Sequence, residues 1–454
     1  METTDLTLMS PTVATIASSL SAMSSSTQVP RVPLELVQEI IGQLRGEAKT
    51  LKACTGVSRQ WFDSARRYLF QTVAVRVPLD ADTHHGFTEF LAFLRANSYQ
   101  GHHIQSLYLS TTNAWNTDRR ISLCKHDLQE ILLATPNLRR LVLLIRSRGC
   151  NKQCNGRSLV SRPIHLKTLL FDVGSHEDDL GDVLDILRLF GEVDLLNVPS
   201  VRPTAKMNNL KDQIRALGPP EHLRIRALTT VYDGGTGGLF LEIAQLTPSV
   251  DTISALGAQS LWDARHATLD ELLKKNKPRL ENLFLDLSTV FADPENDEDM
   301  RDWNWLSLES FPCLESIGFM FLVTDIFPGW DEEELDEACY FEEADGYMDM
   351  LFAASSSTTV RSITIKVEFE LTHKDEEDCG SVLARKVDLE AMAAALDKFV
   401  NLETITFGFV DGQQVLDACR PVLQETLTDF DIRGGLRFET MDVGCVPPRI
   451  QVDQ

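Results

Sequence analysis

Residues Val32–Phe70 read VPLELVQEIIGQLRGEAKTLKACTGVSRQWFDSARRYLF, and this stretch predicts three short helices. Pro33 suits the first turn of the first helix, where a missing N–H costs nothing. Arg45 and Gly46 end that helix. Its apolar residues recur at offsets of four, five and eight, which predicts one apolar face. That predicted face consists of Leu36, Ile40, Ile41 and Leu44.

The second and third helices are bounded by residues that favour helix ends. Thr50 is predicted to cap the second helix, and Gly56 is a natural stop for it. Ser58 is predicted to cap the third helix. The apolar face of the third helix consists of Trp61, Ala65, Tyr68 and Leu69. Three helices this short bury little area by themselves, so one face is expected to dock against something else.

These residues resemble the F-box motif. The motif usually reads Leu-Pro-x-Glu-Leu, an Ile-Phe-like pair, a Leu, and then Val-Ser-Arg-x-Trp. The match covers about forty of the 454 residues. The chain departs from the motif at Val32, where Leu is usual, and in the Arg45–Lys49 linker, which lacks a frequent acidic-Leu pair. The matching positions are Pro33-Leu34-Glu35-Leu36, Ile40-Ile41, Leu44, Leu51, Cys54, Val57-Ser58-Arg59, Trp61 and Leu69-Phe70.

The resemblance implies a domain at residues 30–71 that binds the small linker subunit of cullin–RING (SCF-type) ubiquitin ligases. The rest of the chain then holds a client protein, and other subunits carry out the chemistry. An amphipathic helical hairpin that opens a larger domain is the alternative for this stretch. A repeat scaffold that engages no ligase is the alternative for the whole chain. By the resemblance, the linker-binding face or its support comprises Pro33, Leu34, Leu36, Ile40, Ile41, Leu44, Val57 and Trp61.

The composition narrows the choice of partners and compartment. The net charge of −24 and a pI near 4.8 disfavour nucleic acid and anionic membranes, which require a positive surface. No apolar run is long enough to span a bilayer. Nine scattered cysteines suit a reducing compartment. Residues 1–29 are Ser/Thr-rich and lack a signal pattern, so they predict a disordered tail of a cytoplasmic or nuclear protein.

From about residue 85 to residue 445 the chain repeats a phrase in which a helical pattern leads to a Leu-x-x-Leu-x-Leu-like strand. The central copies begin about 25 to 34 residues apart. This predicts an α/β fold with parallel strands and crossover helices, and it resembles an irregular leucine-rich-repeat solenoid. A doubly wound α/β domain is the alternative. The clearest copies are Ala134–Ile145, Thr247–Leu256, Lys277–Leu287 and Phe311–Phe321, and a possible last copy is Leu427–Arg433.

Two acidic tracts, residues 293–302 and 331–345, are predicted to project as solvated loops. Between Ile131 and Phe171, in contrast, there is no acidic residue. The basic residues of that segment predict either a solvated loop that pairs with the acidic tracts or a patch for an acidic or phosphorylated client. The candidates for client binding are Arg146, Arg148 and Arg157.

No motif predicts catalysis, a cofactor or a metal. The glycine-rich Asp233–Phe240 lacks the Lys-Ser/Thr of a P-loop and is interpreted as a repeat turn. Cys150 and Cys154, with His165 nearby, lack a second ligand pair for structural zinc. No nucleophile elbow or zinc-protease motif is present. The sequence therefore favours a non-enzymatic protein-binding role.

Overall fold

A computed structural model gives the fold, which divides into two compact units, Met1–Phe190 and Gly191–Gln454. The structure describes residues 32–77, 87–111, 122–144, 146–147, 163–171, 180–198, 209–231, 237–259, 267–286, 308, 311–324, 357–370, 379–410 and 412–441. The predicted tail at residues 1–29 and both acidic tracts lie outside the described residues.

The N-terminal unit begins with three helices, called here the helical segment: α1 (Leu34–Gln43), α2 (Ala48–Cys54) and α3 (Arg59–Leu69). Gly46 follows α1 with φ +101°, a left-handed conformation that glycine adopts without strain. The Ser58 side chain caps α3 by accepting the N–H of Trp61 at 3.4 Å, as the sequence predicts. Thr50 is not the cap of α2. Glu47 precedes that helix, and the Thr50 hydroxyl donates to its carboxylate at 2.9 Å.

The remainder of the N-terminal unit alternates strands and helices. Four strands pair in parallel in the order β1, β2, β4, β6, and a separate short pair joins β3 to β5. The strands are β1 (Thr72–Val77), β2 (Ser106–Thr111), β3 (Ser122–Leu123), β4 (Arg140–Leu144), β5 (Arg146–Ser147) and β6 (Ile164–Phe171). The helices are α4 (Thr88–Ala96), α5 (Ser98–Gly101), α6 (Lys125–Ala134) and α7 (Leu180–Leu187).

The C-terminal unit continues the same alternation. Its strands are β7 (Phe190–Val198), β8 (Arg224–Val231), β9 (Ala255–Gln259), β10 (Asn282–Asp286), β11 (Ser316–Thr324), β12 (Ser362–Glu370), β13 (Thr404–Phe409) and β14 (Leu436–Thr440), and they pair in parallel in chain order. Its helices are α8 (Leu210–Leu217), α9 (Gly237–Leu246), α10 (Ala267–Asn276), α11 (Cys379–Lys386), α12 (Leu389–Leu396), α13 (Gln413–Thr426) and α14 (Thr428–Ile432). A 3₁₀ turn, Pro248–Asp251, precedes β9.

The predicted α/β fold with parallel strands is confirmed. The predicted last copy at Leu427–Arg433 is wrong, because these residues form α14 and the last described strand is β14. Leu427 and Phe430 are buried three residues apart, as on a helix, whereas Ile432 is 77% exposed. The alternating aspartates of this stretch imitate a strand pattern. β1 was not predicted, since the repeating phrase becomes recognisable only after residue 85.

Neighbouring strands are joined by a recurring backbone arrangement. The N–H groups of Gln105 and Ser106 both donate to the Gln71 carbonyl oxygen at 2.9 Å, just before β1 and β2. The N–H groups of Arg139 and Arg140 bind the Gln105 carbonyl in the same way, at 2.8 and 2.9 Å. The carbonyl group just before one strand therefore fixes the start of the neighbouring strand. In the C-terminal unit the carbonyl groups of Ser254, Glu281, Glu315 and Arg361 accept equivalent pairs.

Within each unit an asparagine side chain adds a further hydrogen bond between the segments that precede neighbouring strands. In the N-terminal unit, Asn137 donates from Nδ2 to the His102 carbonyl oxygen at 2.7 Å. In the C-terminal unit, Asn401 donates to the Thr358 carbonyl at 2.6 Å. Both asparagines lie just before a strand. In both places the amide group links the segment before one strand to the segment before its neighbour.

Gly101→Ala is expected to destabilise the N-terminal unit. An added Cβ at Gly101 would lie 2.0 Å from the Ala134 carbonyl oxygen, and a backbone atom cannot turn aside as a side chain can. We expect a loss of roughly 1–3 kcal/mol or more in the free energy of unfolding, measured by urea denaturation.

Gly56→Ala is the matched control. Its added Cβ would meet the Ala53 carbonyl at an ordinary 3.5 Å. Equal urea midpoints for the Gly101 variant and the wild type would show that α5 does not pack against α6 as described.

Candidate partner-binding surface

The helical segment encloses a small core of its own. α3 packs against both α1 and α2, and the inward side chains of all three helices meet there. The fully enclosed residues are Val37, Ile41, Leu51, Cys54 and Ala65, with Leu44, Trp61, Tyr68 and Leu69 packed partly buried against them. This core holds the three helices together and leaves some of their apolar side chains exposed.

Six large apolar side chains of the helical segment are exposed, and we call them together the apolar surface: Val32, Leu34, Leu36, Ile40, Val57 and Phe62. They are between 39% and 64% exposed. Leu36 and Ile40 are four residues apart on α1 and are therefore neighbours on the helix surface. Clusters of large exposed apolar residues on a folded protein mark interaction sites.

Of the eight predicted partner-binding residues, five lie outward. Leu34, Leu36, Ile40 and Val57 belong to the apolar surface, and Pro33 is exposed immediately before α1. The other three, Ile41, Leu44 and Trp61, contribute to the core. Whether any of the eight contacts a partner stays a prediction.

The predicted apolar face of α1 is covered only in part, because its residues divide into two ridges. Leu36 and Ile40 form an exposed ridge, whereas Ile41 and Leu44 join Val37 in the core. Residues 37, 41 and 44 recur at offsets of four and seven, so the helical period already contained this inner ridge. The sequence interpretation also missed Val32 and Phe62 on the surface, because the motif assigns neither a partner-binding role.

Aromatic contacts attach α3 to the first repeat of the N-terminal unit. The Arg66 guanidinium carbon lies 5.3 Å from the ring centroid of Phe62 and 5.2 Å from that of Tyr99 on α5. The Tyr99 ring meets His103 edge to face, with centroids 4.8 Å apart. Stacking of an arginine between two rings is favourable through cation–π attraction. The apolar surface is thus carried on helices that are fastened to the first strand–helix repeat.

Of the three predicted client-binding arginines, Arg146 lies within the described residues. Arg146 opens β5 and pairs with Ser122 in register. Arg148 and Arg157 lie outside the described residues, as do Cys150 and Cys154. The basic patch therefore stays a prediction.

Within the ranges given above, no three His, Cys, Asp or Glu side chains are grouped as metal ligands. Across the same part of the chain, no helix combines the length and the apolar character needed to cross a lipid bilayer.

Comparison of the chain with protein-family models finds no match, and comparison with curated proteins finds none either. A function for the chain is therefore inferred from the residues and geometry of the helical segment itself.

Ile40 and Ile41 are adjacent residues of one type that separate surface from core. Ile41 is fully buried and Ile40 is 44% exposed. We expect Ile41→Ala to lower the free energy of unfolding of the helical segment by roughly 2–5 kcal/mol. Ile40→Ala is expected to change it by less than about 1 kcal/mol, because the side chain already contacts water.

Native-state hydrogen exchange of the amides in residues 34–69 measures this difference locally in the full chain. Equal acceleration of exchange in the two variants would contradict the division of α1 into an inner and an outer ridge.

Proposed function

We propose that the chain is the substrate-recognition subunit of an SCF-type cullin–RING ubiquitin ligase. In this proposal the helical segment is an F-box that binds the linker subunit, and the strand–helix repeats hold a client protein. The apolar surface carries the proposal. It places Leu34, Leu36, Ile40 and Val57, four residues that match or border the motif anchors, on the outside of a folded three-helix segment.

The energetics of the apolar surface support a partner rather than solvent. Burial of one large apolar side chain contributes roughly 1.5–3 kcal/mol relative to exposure. Leu36 and Ile40 are each nearly half exposed, so a partner that covers them gains only part of that amount from each. Exposed apolar side chains of this kind form the centre of stable protein interfaces.

The attachment of the helical segment supports a positioning role. Arg66 lies between the rings of Phe62 and Tyr99, and the Gln71 side chain donates to Gln105 Oε1 at 2.8 Å. These contacts join α3 and β1 to the first repeat. A subunit that presents a client for ubiquitin transfer benefits from such a fixed joint, because orientation determines which lysines are reached.

The strand order supports a leucine-rich-repeat-like solenoid for the rest of the chain. In each unit the described strands of the main sheet follow the order of the sequence, and all of them are parallel. A doubly wound domain reverses its strand order at a switch point, and neither unit shows such a reversal among its described strands. Repeats of this kind offer an extended surface for a protein ligand.

The proposal predicts that the linker and cullin co-purify with the tagged wild-type chain from cells. Leu36→Ala combined with Ile40→Ala is expected to reduce their recovery roughly tenfold or more, because the two truncations remove apolar area from the contact. The matched control is Leu133→Ala with Ile432→Ala. These residues are 50% and 77% exposed and belong to α6 and α14.

We expect the control pair to leave recovery unchanged. Full recovery with the Leu36/Ile40 pair would show that the apolar surface is not the linker site. Absence of linker and cullin from the wild-type preparation would instead favour a scaffold that engages no ligase.

A further inference from the structure

A polar cleft of about 660 Å³ opens in the N-terminal unit beside the apolar surface. α1 and α3 form one side, and the other side includes α5 and the residues that follow it. Its volume lies in the range typical of small-ligand sites. The lining residues that bear on the argument are Asp63, Arg67, Tyr68, Tyr99, His102 and His103.

Positive charge outweighs negative charge around His103. Arg67 lines the cleft, Arg66 lies behind the Tyr99 ring, and the one carboxylate in the lining is Asp63. The Arg67 side chain is exposed to solvent. In a protein of net charge −24, such a cleft selects negatively charged ligands over positive ones.

The walls of the cleft are held in place before any ligand arrives. The His102 carbonyl accepts the Asn137 side chain at 2.7 Å, which fixes the turn that carries both histidines. The Tyr99 ring contacts both the Arg66 guanidinium and the His103 ring. A site whose groups are already ordered loses less conformational entropy on binding.

His103 is poised to respond to negative charge. Burial lowers its pKa, and the neighbouring Arg66, Arg67 and His102 lower it further. Its Nε2 is buried and has no hydrogen-bond partner among the described residues. These surroundings disfavour the protonated imidazole, and an anion in the cleft would favour it.

We propose that this cleft binds a phosphoryl group, with Arg67 as its main ligand and His102 and His103 beside it. A phosphoryl group offers several acceptor oxygens and a charge between one and two, which suits donors arriving from two elements. The planar guanidinium of arginine matches phosphate oxygens with paired hydrogen bonds. The phosphoryl group can belong to a phosphorylated peptide or to a small phosphorylated molecule. The proposal does not depend on ligase engagement.

Calorimetric titration of the purified full chain tests the proposal with two probes, inorganic phosphate and a phosphoserine peptide. Arg67→Gln is expected to weaken binding roughly tenfold or more, since a charge-assisted hydrogen bond is lost. Arg59→Gln is the matched control, because Arg59 is an exposed arginine on the same helix that does not line the cleft. Asp63→Asn is expected to strengthen binding by removing the one carboxylate that repels the ligand.

The pH dependence provides a second readout, with sulfate as a probe that stays doubly charged throughout. The bound anion raises the pKa of His103 above its lowered value in the free protein, so binding takes up a proton. Sulfate affinity should therefore increase from about pH 8 to about pH 6, and His103→Gln should reduce that increase. The other charged or titratable groups facing His103 are Asp63, Arg66, Arg67, Tyr68, Tyr99 and His102, and these remain in the variant.

The outcomes separate the two sources of the phosphoryl group. Tighter binding of the peptide than of free phosphate, sensitive to Arg67, identifies a phosphopeptide site. Equal Arg67-sensitive binding of both probes identifies a site for small phosphorylated molecules. If neither probe binds the wild type, or if the Arg67 and Arg59 variants bind equally, the proposal is wrong. If the Arg67 variant unfolds, the Asp63→Asn variant decides. Binding to that variant that is no stronger than to the wild type would also show that the proposal is wrong.

Discussion

Helices of ten, seven and eleven residues can enclose only one thin layer of side chains between them. In this protein that layer is the core around Val37, Ile41 and Ala65. The sequence nevertheless supplies more large apolar residues than the layer can hold, and the surplus is exposed on α1, on α3 and in the segments before them. The geometry of short helices thus produces two apolar regions from one stretch, of which one stabilises the segment and the other is free to bind.

This arrangement is useful only if the helical segment is fixed to the chain that follows. Arg66 joins α3 to Tyr99, and the Gln71 carbonyl receives both N–H groups that begin β2. The second contact is the first example of the paired N–H bonds to one carbonyl that recur before the later strands. One backbone pattern therefore connects the helical segment to the repeats and the repeats to one another within each unit. In the C-terminal unit a salt bridge of 3.3 Å between Arg361 and Glu403 also links the residues that precede two neighbouring strands.

The sequence predicted the α/β class and the parallel strands with crossover helices, because apolar periodicity and turn residues are local signals. Ser58 was identified as a cap for the same reason. The division of α1 into two ridges was not predicted, since adjacent Ile40 and Ile41 look alike until the packing of α3 decides which is covered. α14 was mistaken for a strand because its alternating aspartates outweighed the spacing of Leu427 and Phe430. The cleft was beyond reach of the sequence, because its lining residues come from elements up to about a hundred residues apart and only the fold brings them together.

The apolar surface is proposed to receive the linker subunit of a cullin–RING ligase. Hydrogen–deuterium exchange of the full chain, with and without purified linker subunit, measures this contact. We expect slower exchange on linker addition in residues 34–40 and 57–62, while amides of β8–β14 exchange at unchanged rates. Linker binding that protects the repeats and leaves residues 34–40 and 57–62 unaffected, or no change anywhere at saturating linker, would contradict the account.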